Sequence, residues 1–262
     1  MGNGKFPLVF DIKRTSTTDG PGIRTVFFLK GCNLDCFWCH NPEGKRMERS
    51  LAFFAEKCTG CGVCKRVCKG KGDACTACGT CAEYCPAEAR RIYGRALSIE
   101  ELVEIGRADL DYYRATGGGV TFSGGECMLF PEFVGDCARR FCEIGISVAI
   151  DTAGAVPYSH FEAVLPYADV ILYDVKCLDP SLHEQGTGKR NELILENLER
   201  IRQTGKKIII RTPVIPGFNE GAEVERVKAY CEERGLFYEL LPYHAMGESK
   251  REALTAASST PA

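Results

Sequence analysis

Cys32, Cys36 and Cys39 form a Cys-x3-Cys-x2-Cys run within Gly31-Cys32-Asn33-Leu34-Asp35-Cys36-Phe37-Trp38-Cys39-His40. Three thiolates this close can take three corners of one iron-sulfur cluster, and the spacing puts no fourth thiolate at hand. Such clusters are ordinarily closed by four cysteines, so one iron is left for a ligand that is not protein. That open corner predicts catalysis. The competing reading is zinc, held by the three thiolates and the adjacent His40. Structural zinc sites usually come as two separated ligand pairs, which weighs against it.

A second group follows. Cys58, Cys61, Cys64 and Cys68 have x2, x2, x3 spacing, and Cys75, Cys78, Cys81 and Cys85 repeat it, ending in Cys85-Pro86. This is the bacterial ferredoxin run written twice, in which the fourth cysteine of each run ligates the other cluster. The expected sets are Cys58, Cys61, Cys64 and Cys85 for one 4Fe-4S centre, and Cys68, Cys75, Cys78 and Cys81 for the other. A pair of four-thiolate zinc sites is the alternative. Lys69 stands where Pro is usual, and only Lys69 to Ala74 joins the runs. The short link makes the second cluster the weaker expectation. Lys65, Arg66, Lys69 and Lys71 could meet an acidic electron donor such as flavodoxin or ferredoxin, or form a solvated surface run.

Polar residues also collect where apolar runs stop. Ser123-Gly124-Gly125-Glu126 follows Val120-Thr121-Phe122; the glycines let a ligand approach backbone closely, and a carboxylate can accept from an ammonium group. Asp174 and Lys176, two apart at a strand end, leave on one face, as a ligand grip or as a structural ion pair. Arg211 is planar, always charged and suited to a carboxylate.

The cysteine triad resembles that of the radical S-adenosylmethionine (SAM) superfamily, in which the methionine part of SAM chelates the open iron. Asp19-Gly20-Pro21-Gly22-Ile23-Arg24 and Trp38-Cys39-His40-Asn41-Pro42-Glu43 narrow the resemblance to the glycyl radical enzyme activating enzymes. The resemblance implies SAM contacts at Trp38, Gly124, Gly125, Glu126, Asp174, Lys176, Arg211 and His244, with Trp38 framing adenine and Gly124 to Glu126 holding the amino group. Lys176 joins Cys32, Cys36 and Cys39 as catalytic. Asp151, Thr152 and Asp174 resemble a monovalent-cation site. A large glycyl radical enzyme, of the dehydratase, decarboxylase or lyase type, is the implied partner. Two alternatives stay open: a radical SAM enzyme acting on another peptide or a small molecule, and a non-catalytic zinc or iron-sulfur module for binding or electron transfer.

The elements that must position these residues alternate. Apolar strands at Arg24 to Lys30, Val120 to Phe122, Ile146 to Ile150, Val170 to Tyr173, Lys207 to Ile210 and Phe237 to Leu241 are interleaved with helical stretches. One of them opens with the capping-box form Ser98-Ile99-Glu100-Glu101. Six strand-then-helix repeats predict an α/β fold, a partial (β/α)6 barrel with its polar residues at the C-terminal strand ends. The expected division is 1–48 for the first part of the barrel, 49–93 for a ferredoxin-like insert, 94–254 for the rest of the barrel, and 255–262 for an Ala/Ser/Thr tail too polar to fold. Cys137 and Cys142 read as small core residues.

Composition narrows the rest. The 262 residues carry 16 cysteines, 45% hydrophobic residues and a net charge of -2, which gives no electrostatic footprint for nucleic acid. No stretch is apolar enough to span a membrane. The opening residues lack a signal-peptide core, and Phe6 breaks the myristoylation pattern, so a cytoplasmic protein is expected. Eleven cysteines between Cys32 and Cys85 in a reducing compartment read as metal ligands rather than disulfides. Clusters with an exposed iron are air-sensitive, so an anaerobic or microaerobic setting is expected.

Overall fold

The apolar runs assemble into one sheet in a computed structural model that describes residues 6–69 and 75–259. Lys71 and most of the link between the two cysteine runs lie outside the described residues. In chain order, β1 (Leu8–Ser16) and β2 (Arg24–Leu29) form a hairpin. Then come β3 (Ser50–Phe53), α1 (Val63–Val67), α2 (Thr80–Glu83), β4 (Arg90–Tyr93) and the short β5 (Arg95–Ala96). The alternation continues with α3 (Ile99–Arg107), α4 (Leu110–Thr116), β6 (Gly119–Gly124), α5 (Pro131–Glu143), β7 (Ser147–Thr152), α6 (Tyr158–Val164) and β8 (Val170–Asp174). It closes with α7 (Pro180–Thr187), α8 (Glu192–Gln203), β9 (Lys207–Val214), α9 (Ala222–Glu233), β10 (Phe237–Pro242) and α10 (Met246–Ser259).

The sheet order is β10-β9-β8-β7-β6-β2-β1-β5. From β2 to β10 every pairing is parallel, and β1 and β5 extend the sheet antiparallel. The fold is therefore α/β with a mostly parallel sheet, and all six expected strands are in it. Parallel register brings the strand ends side by side: Leu29 pairs with Gly124, Thr152 with Tyr173 and Asp174 with Arg211. A site at that edge is what parallel sheets provide.

Helices cover the sheet through apolar faces. In α5, Phe133, Val134, Cys137, Ala138 and Phe141 are buried at helical spacing; the ring of Phe141 lies 6.0 Å from that of Phe27 on β2. Cys137 is core, as expected. Cys142 is exposed, a correction, because it falls on the solvent face of the same helix. The capping box of α3 forms: Ser98 Oγ accepts from the Glu101 amide (3.2 Å) and Glu101 Oε2 from the Ser98 amide (2.7 Å). Arg24, fully buried, staples three strands by donating to Thr121 Oγ1 (2.8 Å), Val120 O (2.5 Å) and Ser147 O (3.1 Å).

The β3–β4 pair is a separate two-stranded antiparallel sheet, and the chain between them carries all eight cysteines of the double run. The expectation of an unfolded tail after Leu254 is corrected, since α10 runs to Ser259. Ala253 and Ala257, four apart, bury against Ala52, Tyr93, Leu51 and Cys81. Small side chains let a weakly hydrophobic helix pack closely, which composition alone does not signal.

Candidate active site

The loop from Gly31 to Lys45 leaves β2 at the C-terminal edge of the sheet and is held on two sides by backbone. Gly31 N donates to Gly44 O (2.7 Å) and Cys32 N to Lys45 O (3.0 Å), closing the loop on itself. The end of α7 grips the middle, with Asp35 N donating to Thr187 O (2.7 Å) and Phe37 N to Gly186 O (3.1 Å). Below the loop, the buried Lys30 ammonium donates to Glu43 O and to Ser50 Oγ (2.8 Å); burial lowers its pKa to about 8.

This places the three thiols in one wall of a cavity of about 210 Å³. Burial pushes the Cys32 thiol up to about 12, against the hydrogen bond from the Leu34 amide. Burial also raises Cys36 and Cys39. Cys36 is buried and Cys32 and Cys39 half-buried; without a metal all three stay protonated, and a metal bound in the space they face would displace those protons. Facing them are Gly124, Gly125, Asp151, Thr152, Asp174 and Lys176, with Trp38 and His40 at the side. A Cβ on Gly125 would lie 2.2 Å from the Gly31 carbonyl oxygen, so only glycine lets β6 and the cysteine loop meet. Among the described residues, no three His, Cys, Asp or Glu side chains gather tightly enough to hold a single metal ion.

The charged residues are already paired. Lys176 Nζ lies 2.7 Å from Asp174 Oδ2; burial works against its charge, but Asp174 and the neighbouring thiols prevail and its pKa is raised. Arg211 Nη1 lies 3.3 Å from Asp151 Oδ1, and Ser123 Oγ donates to Asp151 Oδ2 (2.6 Å). Burial raises the Asp151 carboxyl while Arg211 opposes it. Asp151 and Asp174, expected beside Thr152 at a cation, thus each face a cationic side chain.

Arg211 and His244 line an outer cavity of about 570 Å³ that shares Trp38, His40, Ser123 and Asp151 with the inner one. Trp38 packs against Phe218, with ring centres 4.8 Å apart. Glu126 is placed differently from its neighbours. It is fully buried and does not line either cavity; its oxygens accept from Thr152 Oγ1 (2.7 Å), Ala153 N (2.9 Å) and Met128 N (3.0 Å). Burial raises its pKa to about 7.

Sequence reasoning missed Ser123, Lys45 and Lys250. Ser123 was legible, being one residue before Gly124 on the strand. Lys45 pairs with Asp35 and lines the inner cavity. Lys250 sits on the helix that composition hid.

In the second cysteine group, Cys58, Cys61, Cys64 and Cys85 line one small cavity with Phe53 and Arg90. Burial raises the Cys81 thiol, Arg90 lowers it, and Cys75, Cys68 and Cys78 raise it again. Lys65, Arg66 and Lys69 are exposed.

A model of the radical SAM superfamily matches residues 26–229. The chain belongs to that superfamily. Two curated relatives narrow the family within radical SAM enzymes. An isethionate sulfite-lyase activating enzyme of Nitratidesulfovibrio vulgaris is 36% identical, over 93% of this chain and 86% of its own. A trans-4-hydroxy-L-proline dehydratase activating enzyme of Clostridioides difficile is 37% identical, over 95% and 88%. This radical SAM chain is thus one of the glycyl radical enzyme activating enzymes, and the family brings SAM and a [4Fe-4S] cluster to it. The structure of Streptococcus suis SuiB bound to the precursor peptide SuiA shares the fold, with a TM-score of 0.55, 16% identity, and coverage of 84% of this chain and 39% of that one. No described helix of this radical SAM enzyme is long and apolar enough to cross a membrane.

Proposed function

We propose that this chain activates a partner glycyl radical enzyme, of the dehydratase, decarboxylase or lyase type, by removing a hydrogen atom from a backbone glycine. The observation that carries the reading is the convergence of Cys32, Cys36 and Cys39 with Gly124, Gly125, Asp174 and Lys176 around one cavity at the C-terminal edge of a parallel sheet. The donor set fits a cluster: one buried and two half-buried thiols, no fourth among the described residues that line the cavity, and glycines in the same lining.

When bound there, the cluster supplies the electron that splits SAM into methionine and a 5'-deoxyadenosyl radical. The chain's own residues do the rest. Gly124 and Gly125 present backbone to the methionine part, while Lys176 and Asp174 offer opposite charges to its carboxylate and the ribose. Trp38 flanks the adenine, and Arg211 and His244 border the outer cavity. Glu126 acts from behind, fixing Thr152 and Ala153. The outer cavity opens the way for the partner's glycine loop; the radical takes the glycine Cα hydrogen, leaving 5'-deoxyadenosine and a glycyl radical. A monovalent cation beside SAM at Asp151, Thr152 and Asp174 requires the Arg211 and Lys176 pairs to rearrange when SAM arrives.

The parallel strands read as a partial (β/α)6 barrel, and residues 49–93 as a ferredoxin-like insert with two further [4Fe-4S] clusters. The shared cavity of Cys58, Cys61, Cys64 and Cys85 supports the first of the crossed sets. A flavodoxin or ferredoxin is the proposed donor. Iron and sulfide on anaerobic protein test the cluster count: about 12 irons support three clusters, about 8 remove one, and zinc in place of iron overturns the reading. 5'-Deoxyadenosine release from SAM under strong reductant tests the chemistry.

A further inference from the structure

The cysteine loop has a third support, from the far end of the chain. Lys250 on α10 reaches over the loop: its ammonium donates to Glu43 Oε1 (2.6 Å), Asn41 Oδ1 (3.4 Å) and His40 O (3.5 Å). From the next residue, Arg251 Nη2 donates to Phe37 O (2.6 Å). Gly247 lets the helix sit this close, because a Cβ there would lie 2.4 Å from Cys39 O and 3.2 Å from His40 Cα. Glu43 is 3% exposed, and its other oxygen has no partner, so Lys250 is the cation that neutralises a buried carboxylate inside the loop. Further along the same face of α10, one and two turns on, Ala253 and Ala257 anchor the helix, buried against β3, β4 and Cys81 of α2.

We propose that α10 is a clasp and Lys250 a positioning residue, which fixes the backbone from Phe37 to Glu43 and thereby sets where Cys36, Cys39 and Trp38 face SAM. The backbone contacts at Gly44, Lys45, Gly186 and Thr187 hold the two ends and the front of the loop. Gly186 O accepts from the Phe37 amide and Lys30 meets Glu43 O from below; α10 adds the contacts along the back of the loop, at Phe37 O, His40 O, Asn41 and the Glu43 carboxylate, where the last thiolate and the adenine-facing ring sit. Since α10 leans on the 49–93 segment, the clasp also ties the order of that segment to the geometry of the SAM site.

The inference rests on the proposed role of Cys32, Cys36 and Cys39, and iron content of the wild-type protein tests that role separately. The experiment compares wild type, Lys250→Met, Lys250→Arg and Gly247→Ala as anaerobic, iron-loaded full chains. Gly247→Ala improves helix propensity while its methyl forces α10 off the loop, so it separates seating from helix stability. Amide hydrogen exchange over residues 36–44 and the change in the EPR spectrum of the reduced protein on adding SAM are the readouts. Lys250→Met and Gly247→Ala are expected to speed exchange in that stretch, alter the SAM-dependent EPR change, and lower kcat/KM for SAM cleavage about 10-fold or more. Iron content should match wild type, Lys250→Arg should recover most of both signals, and Glu252→Gln, on the exposed side of α10, should match wild type. Wild-type exchange and spectra in Lys250→Met, or no recovery in Lys250→Arg, would overturn the proposal.

Discussion

The loop with Cys32, Cys36 and Cys39 and the segment from Cys58 to Cys85 both offer cysteines to clusters, but they are held by different forces. The loop is fixed by backbone hydrogen bonds within itself and from α7 and by side chains of α10, and its thiols are buried or half-buried. In the segment, α1 buries no residue and α2 only Cys81, while Cys58, Cys61, Cys75 and Cys78 are exposed. Both short helices start from a left-handed glycine, Gly62 or Gly79, without a side-chain cap. A five-residue helix without a core is not stable alone. The loop is thus built by the protein for its ligand, whereas the segment has too little core of its own to hold its cysteines without the clusters proposed for it.

The largest test of that contrast is Cys36→Ala. It should reduce 5'-deoxyadenosine formation to background and remove about 4 of about 12 irons, with the insert's iron retained. Loss of all iron would mean that the two regions are not independent. Chelation of the folded protein should come next. Hydrogen exchange should rise throughout α1 and α2 and stay slow in β6 to β9; uniform loss of protection would show that the segment is no more metal-dependent than the sheet.

A Lys176→Met change probes the loop side. It leaves Asp174 without its partner at a largely buried site, so unfolding should become easier by about 3 kcal/mol in chemical denaturation, and SAM binding should weaken. Unchanged stability and affinity would reduce the pair to surface decoration.

The smallest effect lies at Glu126, behind the cavity. Its folded pKa, about 7, is above the ordinary 4.5, so between those values the folded chain holds a proton that the unfolded chain has released. Stability from this group is present below 4.5 and is lost as pH rises toward 7. Comparing about pH 5 with about pH 7.5, Glu126→Gln should remove roughly 2 kcal/mol of the wild-type decline. An identical decline in the variant would place the titration elsewhere.

These differences also explain what could be read before the structure. The six parallel strands were legible because Val120, Ile150, Ile171 and Ile210 lie in continuous apolar runs that a doubly covered strand requires. The cavity set was legible because Gly124, Asp174 and Arg211 follow such runs directly. Glu126 was located correctly in sequence but not in space, since the strand period does not reveal that the turn after Gly125 points its carboxylate inward toward Thr152. α10 was missed because it packs through Ala253 and Ala257 rather than through large side chains, and its value lies in contacts some 210 residues away in sequence, Lys250 to His40. Cys142 was misplaced because helical neighbours were apolar while its own position faces solvent.

The most direct test of the central claim is EPR of a large candidate glycyl radical enzyme, incubated anaerobically with this protein, SAM and a strong reductant. The account expects a carbon-centred radical on the partner's glycine, formed with 5'-deoxyadenosine and absent with Cys36→Ala. Release of 5'-deoxyadenosine with no radical on any such partner would contradict it.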